Sequence, residues 1–393
     1  MKDKTEQTVR QDSGMRKRIV TLLPGLADHG GIQRHNRTFC KALTAYADSH
    51  GAEVDIVSLR DPDGWRDPRY VSRPVVGGGG NRYRFAARAL MALSHPYDLL
   101  IVGVVDFGLF VVLSHLRRPN VPIFTIAHGI EVWTRRTHVE RAALLGANRI
   151  LAVSADTGRH AVDVQGADPR VVEVITTPLD PDFIAGMDAW HALGVAAVHT
   201  RLLSVSRMNV VDANKGIDQV INALPIVRER IPDVNYTIIG DGDDRPRLEH
   251  LACDLAVDDI VQFVGRVSDE QLHPYLAGTD LFILPSSKEG FGIVFLEAMA
   301  YGKPVIAGAH GGTPEVVTDG ETGILVHHDD QSALVEAMVN LLRDGVKRRA
   351  LGDAGRRRVE TVYAYDRFAT SVAHAVNTLL TARTLPQYKE ARA

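Results

Sequence analysis

The chain has 393 residues, 45% hydrophobic and 24% charged, enough at about 150 residues per domain for two or three globular domains. A formal net charge of −3 gives no general attraction for nucleic-acid phosphates and disfavours bulk nucleic-acid binding. The two cysteines, Cys40 and Cys253, form no Cys-x-x-Cys and have no nearby Cys/His partner, which excludes a structural zinc site and fits a reducing compartment.

The first fourteen residues, Met1 to Gly14, are polar and charged without an apolar centre, so they read as a loose tail and not as a secretory signal. From Arg18, β-branched runs alternate with helical patterns: Ile19 to Leu23, then Ile32 to Ala47; Val54 to Leu59; Leu99 to Val105, then Phe107 to Leu116; Ile123 to Ala127; Ile150 to Val153. The longest apolar stretch, Leu99 to Leu113, falls short of the roughly 20 residues a spanning helix needs and carries Asp106. Gly77 to Gly80 reads as a flexible loop. After it, Arg82, Arg84 and Arg88 share a helical pattern with Phe85, Ala89, Leu90 and Leu93; an ordinary helix packed on a sheet is the simpler account, and an anionic membrane surface the alternative.

Thr176 to Thr200, with Pro178 and Pro181 and no sustained periodicity, reads as a linker, with the boundary near residue 195. A second series follows: Leu202 to Val205, Ile217 to Arg230, Tyr236 to Ile239, Arg247 to Leu255, Val261 to Val264, Leu281 to Leu284 and Val305 to Ala307, closing on an amphipathic helix from Tyr365 to Thr384. The fold class is α/β, with two doubly wound parallel-sheet domains. The expected units are a tail over 1–16, a first domain over 17–195, a second over 196–362, and a terminal segment over 363–393. Residues 1–190 carry a charge of +3 and the remainder −6, a mild asymmetry.

In such sheets ligands collect beyond the carboxyl ends of the strands. The first such loop ends at Gly30 and Gly31 before a helix, where backbone amides and the helix dipole suit an anion. The densest segment runs from Pro285 to Val305: Glu289 in a loop, Gly290, Phe291, Gly292 and Ile293 at a helix start, and Glu297 within the helix. Two carboxylates so spaced can accept hydrogen bonds from separate hydroxyl sets of one extended ligand, as a sugar binder requires. Arg207, ending a strand, and Lys215, opening a helix, can together neutralise a diphosphate. His128, between Ala127 and Gly129 at another strand end, faces the same crevice.

These motifs resemble the retaining glycosyltransferases of the GT-B group called family 4, and the resemblance covers essentially Arg18 to Ala382. It implies two Rossmann-like domains facing across a cleft, with the C-terminal helix crossing back to the first. It implies that Glu289 and the amides of Gly290 to Ile293 hold the donor sugar, that Glu297 holds the nucleotide ribose, and that His128 reaches the donor sugar. Arg207 and Lys215 then stabilise the leaving diphosphate, Gly30 and Gly31 approach it, and the backbone at Val267 meets the base. The implied reaction is retaining transfer of a hexose from a UDP- or GDP-sugar to an acceptor hydroxyl, without metal and without a cofactor beyond that co-substrate. The acceptor is expected to be a saccharide or lipid-linked, in cell-envelope synthesis, with the protein cytoplasmic or peripheral on the cytoplasmic membrane face through its first domain. Thr177-Pro178-Leu179-Asp180 departs from the family's usual loop, and Asp241-Gly242-Asp243 reads as a turn, not a metal site.

Three other functions fit the architecture. A sugar-nucleotide 2-epimerase shares the fold, but the Arg207, Lys215, Glu289 and Glu297 set argues against it. A nicotinamide oxidoreductase lacks its fingerprint, since Arg245 stands where the third glycine belongs in Gly240 to Arg245. A non-catalytic sugar-nucleotide sensor is disfavoured because all the expected polar groups are present.

Overall fold

A computed structural model describes residues 16–28, 30–193 and 200–382. Residues 1–15 of the expected tail, the boundary near residue 195 and the chain beyond Ala382 lie outside them. In the first half, strands β1 (Arg18–Leu23), β2 (Glu53–Ser58), β3 (Val76–Gly77), β4 (Leu99–Val102), β5 (Ile123–Ala127), β6 (Arg149–Ala152) and β7 (Val172–Val174) alternate with helices α1 (Gly31–His50), α2 (Arg82–Ser94), α3 (Gly108–Arg117), α4 (Ile130–Trp133), α5 (His138–Leu145) and α6 (Ala155–Asp163). All strand pairs are parallel, in the order β3-β2-β1-β4-β5-β6-β7. Helices cover both faces, so the strands read as continuous apolar runs: β4 and β5 are buried at every residue.

Helix α7 (Pro181–Leu193) leads to a second sheet of β8 (Thr200–Val205), β9 (Tyr236–Ile239), β10 (Val261–Gly265), β11 (Thr279–Leu284), β12 (Val305–Gly308) and β13 (Gly323–Val326). Its order is β10-β9-β8-β11-β12-β13, again parallel. Helices α8 (Ile217–Arg230), α9 (Arg245–Asp254), α10 (Asp269–Gly278), α11 (Ile293–Ala300), α12 (Thr313–Val316), α13 (Gln331–Arg343), α14 (Gly345–Val362) and α15 (Tyr365–Thr381) complete it. In each sheet the strand order reverses beside a central strand, β1 against β4 and β8 against β11. The crevices at these switch points are where ligands bind in doubly wound folds.

Helix α15 crosses back to the first domain, as the resemblance implies. Phe368 lies 5.8 Å from the His35 ring of α1, and Tyr46 Oη donates to Asn377 Oδ1 at 3.1 Å. Its buried stripe, Phe368, Val372, Ala375, Val376 and Leu379, follows the helical period.

Two readings of the sequence need correction. The expected linker, Thr176 to Thr200, is helical over much of its length as α7: Pro181 fits a first helical position, and Asp180 Oδ1 accepts from the Asp182 amide at 3.0 Å. Its residues face both halves, Lys41 of α1 bonding Asp182 at 3.0 Å while Phe183 packs 4.9 Å from His273 of α10. Phe183 and Met187 are buried one turn apart and Trp190 packs with Phe183 on Tyr301, a helical spacing that the loop signals of Pro178 and Pro181 mask. Gly77 to Gly80 forms a hydrogen-bonded turn, the amides of Gly78, Gly79 and Gly80 donating to the carbonyls of Ser58, Asp61 and Leu59 at 2.7, 2.8 and 2.9 Å. Gly77 ends β3, and a Cβ on Gly77 or Gly78 would overlap the carbonyl oxygens of Asp61 or Leu59, so these glycines allow tight packing. In α2, Phe85, Ala89 and Leu93 are buried as expected, whereas Leu90 turns outward with Tyr83 and Met91.

Candidate active site

Helix α1 begins at the switch point of the first sheet. Its N-cap is Gly30, no side chain caps it, and nothing lies within 4 Å of where a Cβ on Gly31 would sit. The amides of a 20-residue helix are thus left open to an anion, with the positive end of the dipole behind them.

Two strands away, β5 delivers His128 and Gly129. The His128 imidazole is buried, with Nε2 donating to the Gly103 carbonyl at 2.9 Å, and its ring stands edge-on to His35 at 4.9 Å. The His128 amide donates to a Glu131 carboxylate oxygen. Burial lowers the pKa of both imidazoles, that of His35 well below its ordinary value, so both are neutral at pH 7.

The second domain supplies the charges. Lys215 ends a short 3-10 turn before Gly216, and its Nζ donates to Glu289 Oε2 at 2.6 Å; the two side chains are 12% and 16% exposed. The Ser287 amide donates to the Asn214 carbonyl at 2.8 Å, joining the loops after β8 and β11. Arg207 stands at the mouth, its side chain 63% exposed, bonded to Asp212 at 3.1 Å and not to Glu289. Gly292, at φ 95°, caps α11 without a side-chain bond, which leaves amides from Gly290 to Ile293 at a helix start. The Phe291 side chain turns away into packing, 5.7 Å from the Tyr363 ring. Val267 is half-buried in the loop after β10 that leads to Asp269.

The two halves meet across this crevice. A Cβ on Gly290 would overlap the His128 carbonyl oxygen, and one on Gly129 the Gly290 Cα, so both must be glycine for the loops to touch. Glu297, almost fully buried on α11, forms an ion pair with Arg34 of α1, which also bonds Asp269 at 2.5 Å. Glu315 caps α6 from the other domain, accepting from the amides of Ala155 and Asp156 at 2.7 and 2.8 Å.

Contacts thus join Lys215 to Glu289, Gly290 to the His128 loop, and Glu297 through Arg34 to the α1 turn that starts at Gly30 and Gly31; Arg207 and Lys215 line one gap, and Val267 packs against the second domain's core. Arg34, His35, Asp269 and Glu315 were not found in the sequence. Of these only Arg34 carried a signal, a cation in the first turn of a helix, against the dipole. Asp241 Oδ1 accepts from the Gly242 amide at 3.0 Å, and Asp243 ties the loop after β9 to the turn after β8 by accepting from the Val210 amide at 2.8 Å. Among the described residues no group of three His, Cys, Asp or Glu side chains is placed to hold a metal ion.

Two parallel-sheet domains facing across a charged crevice, with the terminal helix returning to the first, define the GT-B class. The family models agree: "Glycosyltransferase Family 4" matches residues 29–183 and "Glycosyl transferases group 1" matches residues 200–358, and the chain belongs to this family. A "GDP-mannose-dependent alpha-(1-6)-phosphatidylinositol monomannoside mannosyltransferase" of Mycolicibacterium smegmatis is 39% identical over 184 residues, 45% of this chain and 47% of that protein. A "D-inositol 3-phosphate glycosyltransferase" of Geodermatophilus obscurus is 34% identical over 248 residues, 60% and 54%. The chain spans about half the length of the curated relatives it matches. Among solved structures, sucrose-phosphate synthase from Thermosynechococcus elongatus superposes with TM-score 0.72 at 24% identity, over 93% of this chain and 99% of that one. Alr3699/HepE from Anabaena, solved with UDP-glucose, gives 0.69 at 20% identity, over 92% and 99%. At these identities the structures establish the fold alone.

Proposed function

We propose that this protein is a retaining, metal-independent hexosyltransferase that uses a nucleoside-diphosphate sugar as donor and no resident cofactor. The observation that carries the reading is the Lys215–Glu289 pair at the head of α11, pressed by Gly290 against the His128 loop of the other domain. In this reading Glu289 exchanges its bond to Lys215 for donor-sugar hydroxyls, which frees the ammonium for the diphosphate. The open α1 amides at Gly31 take the same diphosphate from the opposite side. Charge on the diphosphate grows as the glycosidic bond breaks, so Lys215 and Arg207 bind the transition state more tightly than the ground state. That positive charge does the work of a metal ion. Neutral His128, its Nε2 held by Gly103, presents an oriented ring beside the anomeric centre, and the departing diphosphate accepts the acceptor's proton on the same face.

For the donor, GDP-mannose is the first candidate, supported by the names of relatives 38–40% identical. Their phosphatidylinositol-linked substrates support a lipid-linked or saccharide acceptor in envelope synthesis. Such an acceptor fits a protein peripheral on the cytoplasmic membrane face through its first domain. Helices α2 and α3 contain Arg82, Arg84, Arg88 and Arg117 and no acidic residue, and expose Tyr83, Met91, Leu109 and Leu116. Exposed apolar side chains on helices that also carry arginines suit an anionic lipid surface, although Arg88 is itself paired with Asp63. No helix among the described residues is long and apolar enough to cross a membrane.

The test is incubation with GDP-mannose, and separately UDP-glucose, plus phosphatidylinositol vesicles, reading released nucleoside diphosphate and the anomeric configuration of the product. An α-linked product from an α-donor supports the reading; an inverted product overturns the retaining mechanism.

A further inference from the structure

Arg34 lies in the first turn of α1, where the dipole disfavours a cation and no acidic residue shares the turn. Its side chain is only 18% exposed, and burial lowers its pKa from the ordinary guanidinium value. The chain tolerates this because the opposite domain supplies two carboxylates, Asp269 at the start of α10 and Glu297 on α11. Glu297 is 1% exposed, and the narrow gap beside it is lined by Arg34, Thr38 and Ile293 and, from the segment joining the domains, by Leu179, Asp180 and Phe183. A ligand hydroxyl bonding Glu297 would meet the guanidinium already paired with its carboxylate.

The geometry points to Arg34 as a positioning residue of the donor site that competes with the nucleotide ribose for Glu297. The inference rests on the reading above, in which Glu297 takes the ribose. Arg34 holds the Glu297 carboxylate in place and keeps α1 against α10 and α11; the ribose hydroxyls then displace it, while Asp269 retains its other nitrogen. Part of the nucleotide's binding free energy is spent on that exchange, which lowers its apparent affinity.

The sign of one substitution separates this from ordinary electrostatics. Removing a cation beside a diphosphate site weakens anion binding in general. Competition predicts the opposite for a ligand that carries ribose. Isothermal titration with GDP or UDP should show Arg34→Gln binding about three- to tenfold more tightly than wild type, with no gain for inorganic pyrophosphate, which has no ribose. Arg34→Lys, which keeps the charge but cannot span both carboxylates, should show a smaller gain with the same selectivity. It carries the test if Arg34→Gln does not fold. Equal or weaker nucleotide binding by the folded variants would overturn the competition. Failure of the wild type to bind any nucleoside diphosphate would overturn the donor-site reading on which it rests.

Discussion

Lys215→Ala tests the site through two effects that the structure separates. The 2.6 Å bond to Glu289 joins two side chains that are 12% and 16% exposed, and a charge-assisted hydrogen bond of this kind contributes about 1.5–3 kcal/mol. Its loss leaves Glu289 without that partner, so stability should fall by about 1–3 kcal/mol, a drop of about 2–4 °C in Tm for each kcal/mol in a domain of this size. Removing a donor aimed at charge that develops in the transition state costs about 3–4 kcal/mol, or about 10²–10³ in kcat. The assay is nucleoside-diphosphate release at saturating donor, well below the variant's melting temperature, beside a calorimetric scan. The reasoning is refuted if kcat is unchanged and only KM for the donor rises, because Lys215 would then bind ground and transition states equally. Glu289→Gln is the companion variant, since it keeps the shape and removes the carboxylate charge.

The remaining predictions follow from burial and close approach. His35 and His128 are held neutral, with folded pKa values below the unfolded value of about 6.5. The unfolded chain therefore takes up protons first as pH falls, and each histidine should cost up to about 1.4 kcal/mol of stability per pH unit below about 6.5, until its folded pKa is reached. Urea midpoints at neutral and mildly acidic pH should show the loss, and His35→Phe should flatten it; equal slopes would contradict the assignment. Gly290→Ala drives a methyl into the His128 carbonyl and should abolish transfer while the second domain melts almost as before, as checked by activity and calorimetry. Deleting the chain after Tyr363 removes a stripe containing Phe368, Val372 and Leu379 from α1, and should destabilise the first domain by more than about 5 kcal/mol, as read by protease resistance of residues 18–174. Turnover should survive EDTA; loss restored by magnesium or manganese would implicate Asp241 and Asp243 after all.

Much of this molecule was legible in its sequence because buried parallel strands carry their own signal. Ile19–Leu23 and Ile123–Ala127 are apolar and β-branched and stand where they were read. Helix Ile217–Arg230 was legible to the residue, its start marked by Gly216 in the left-handed conformation. Helix α7 was not, because Pro178, Pro181 and Gly186 read as loop signals although Phe183, Met187 and Trp190 keep the helical spacing. Strand β3, two residues long, has no period to detect. Among site residues, Glu289 and Glu297 could be singled out by their place after a buried strand and in the helix that follows, and Arg207 and Lys215 by the family resemblance. Arg34, Asp269 and Glu315 could not. Their partners are 100 or more positions away in the chain, and only the approach of two separately folded domains brings the charges together.

The central claim is that this crevice breaks the bond between a sugar and a nucleoside diphosphate. Its most direct test is the release of GDP from GDP-mannose, or UDP from UDP-glucose, with a lipid acceptor present, comparing wild type with Glu289→Ala under identical conditions. The account predicts nucleoside diphosphate and a glycosylated acceptor in equal amounts from the wild type, and neither from a folded Glu289→Ala variant. Turnover undiminished by that substitution would contradict it.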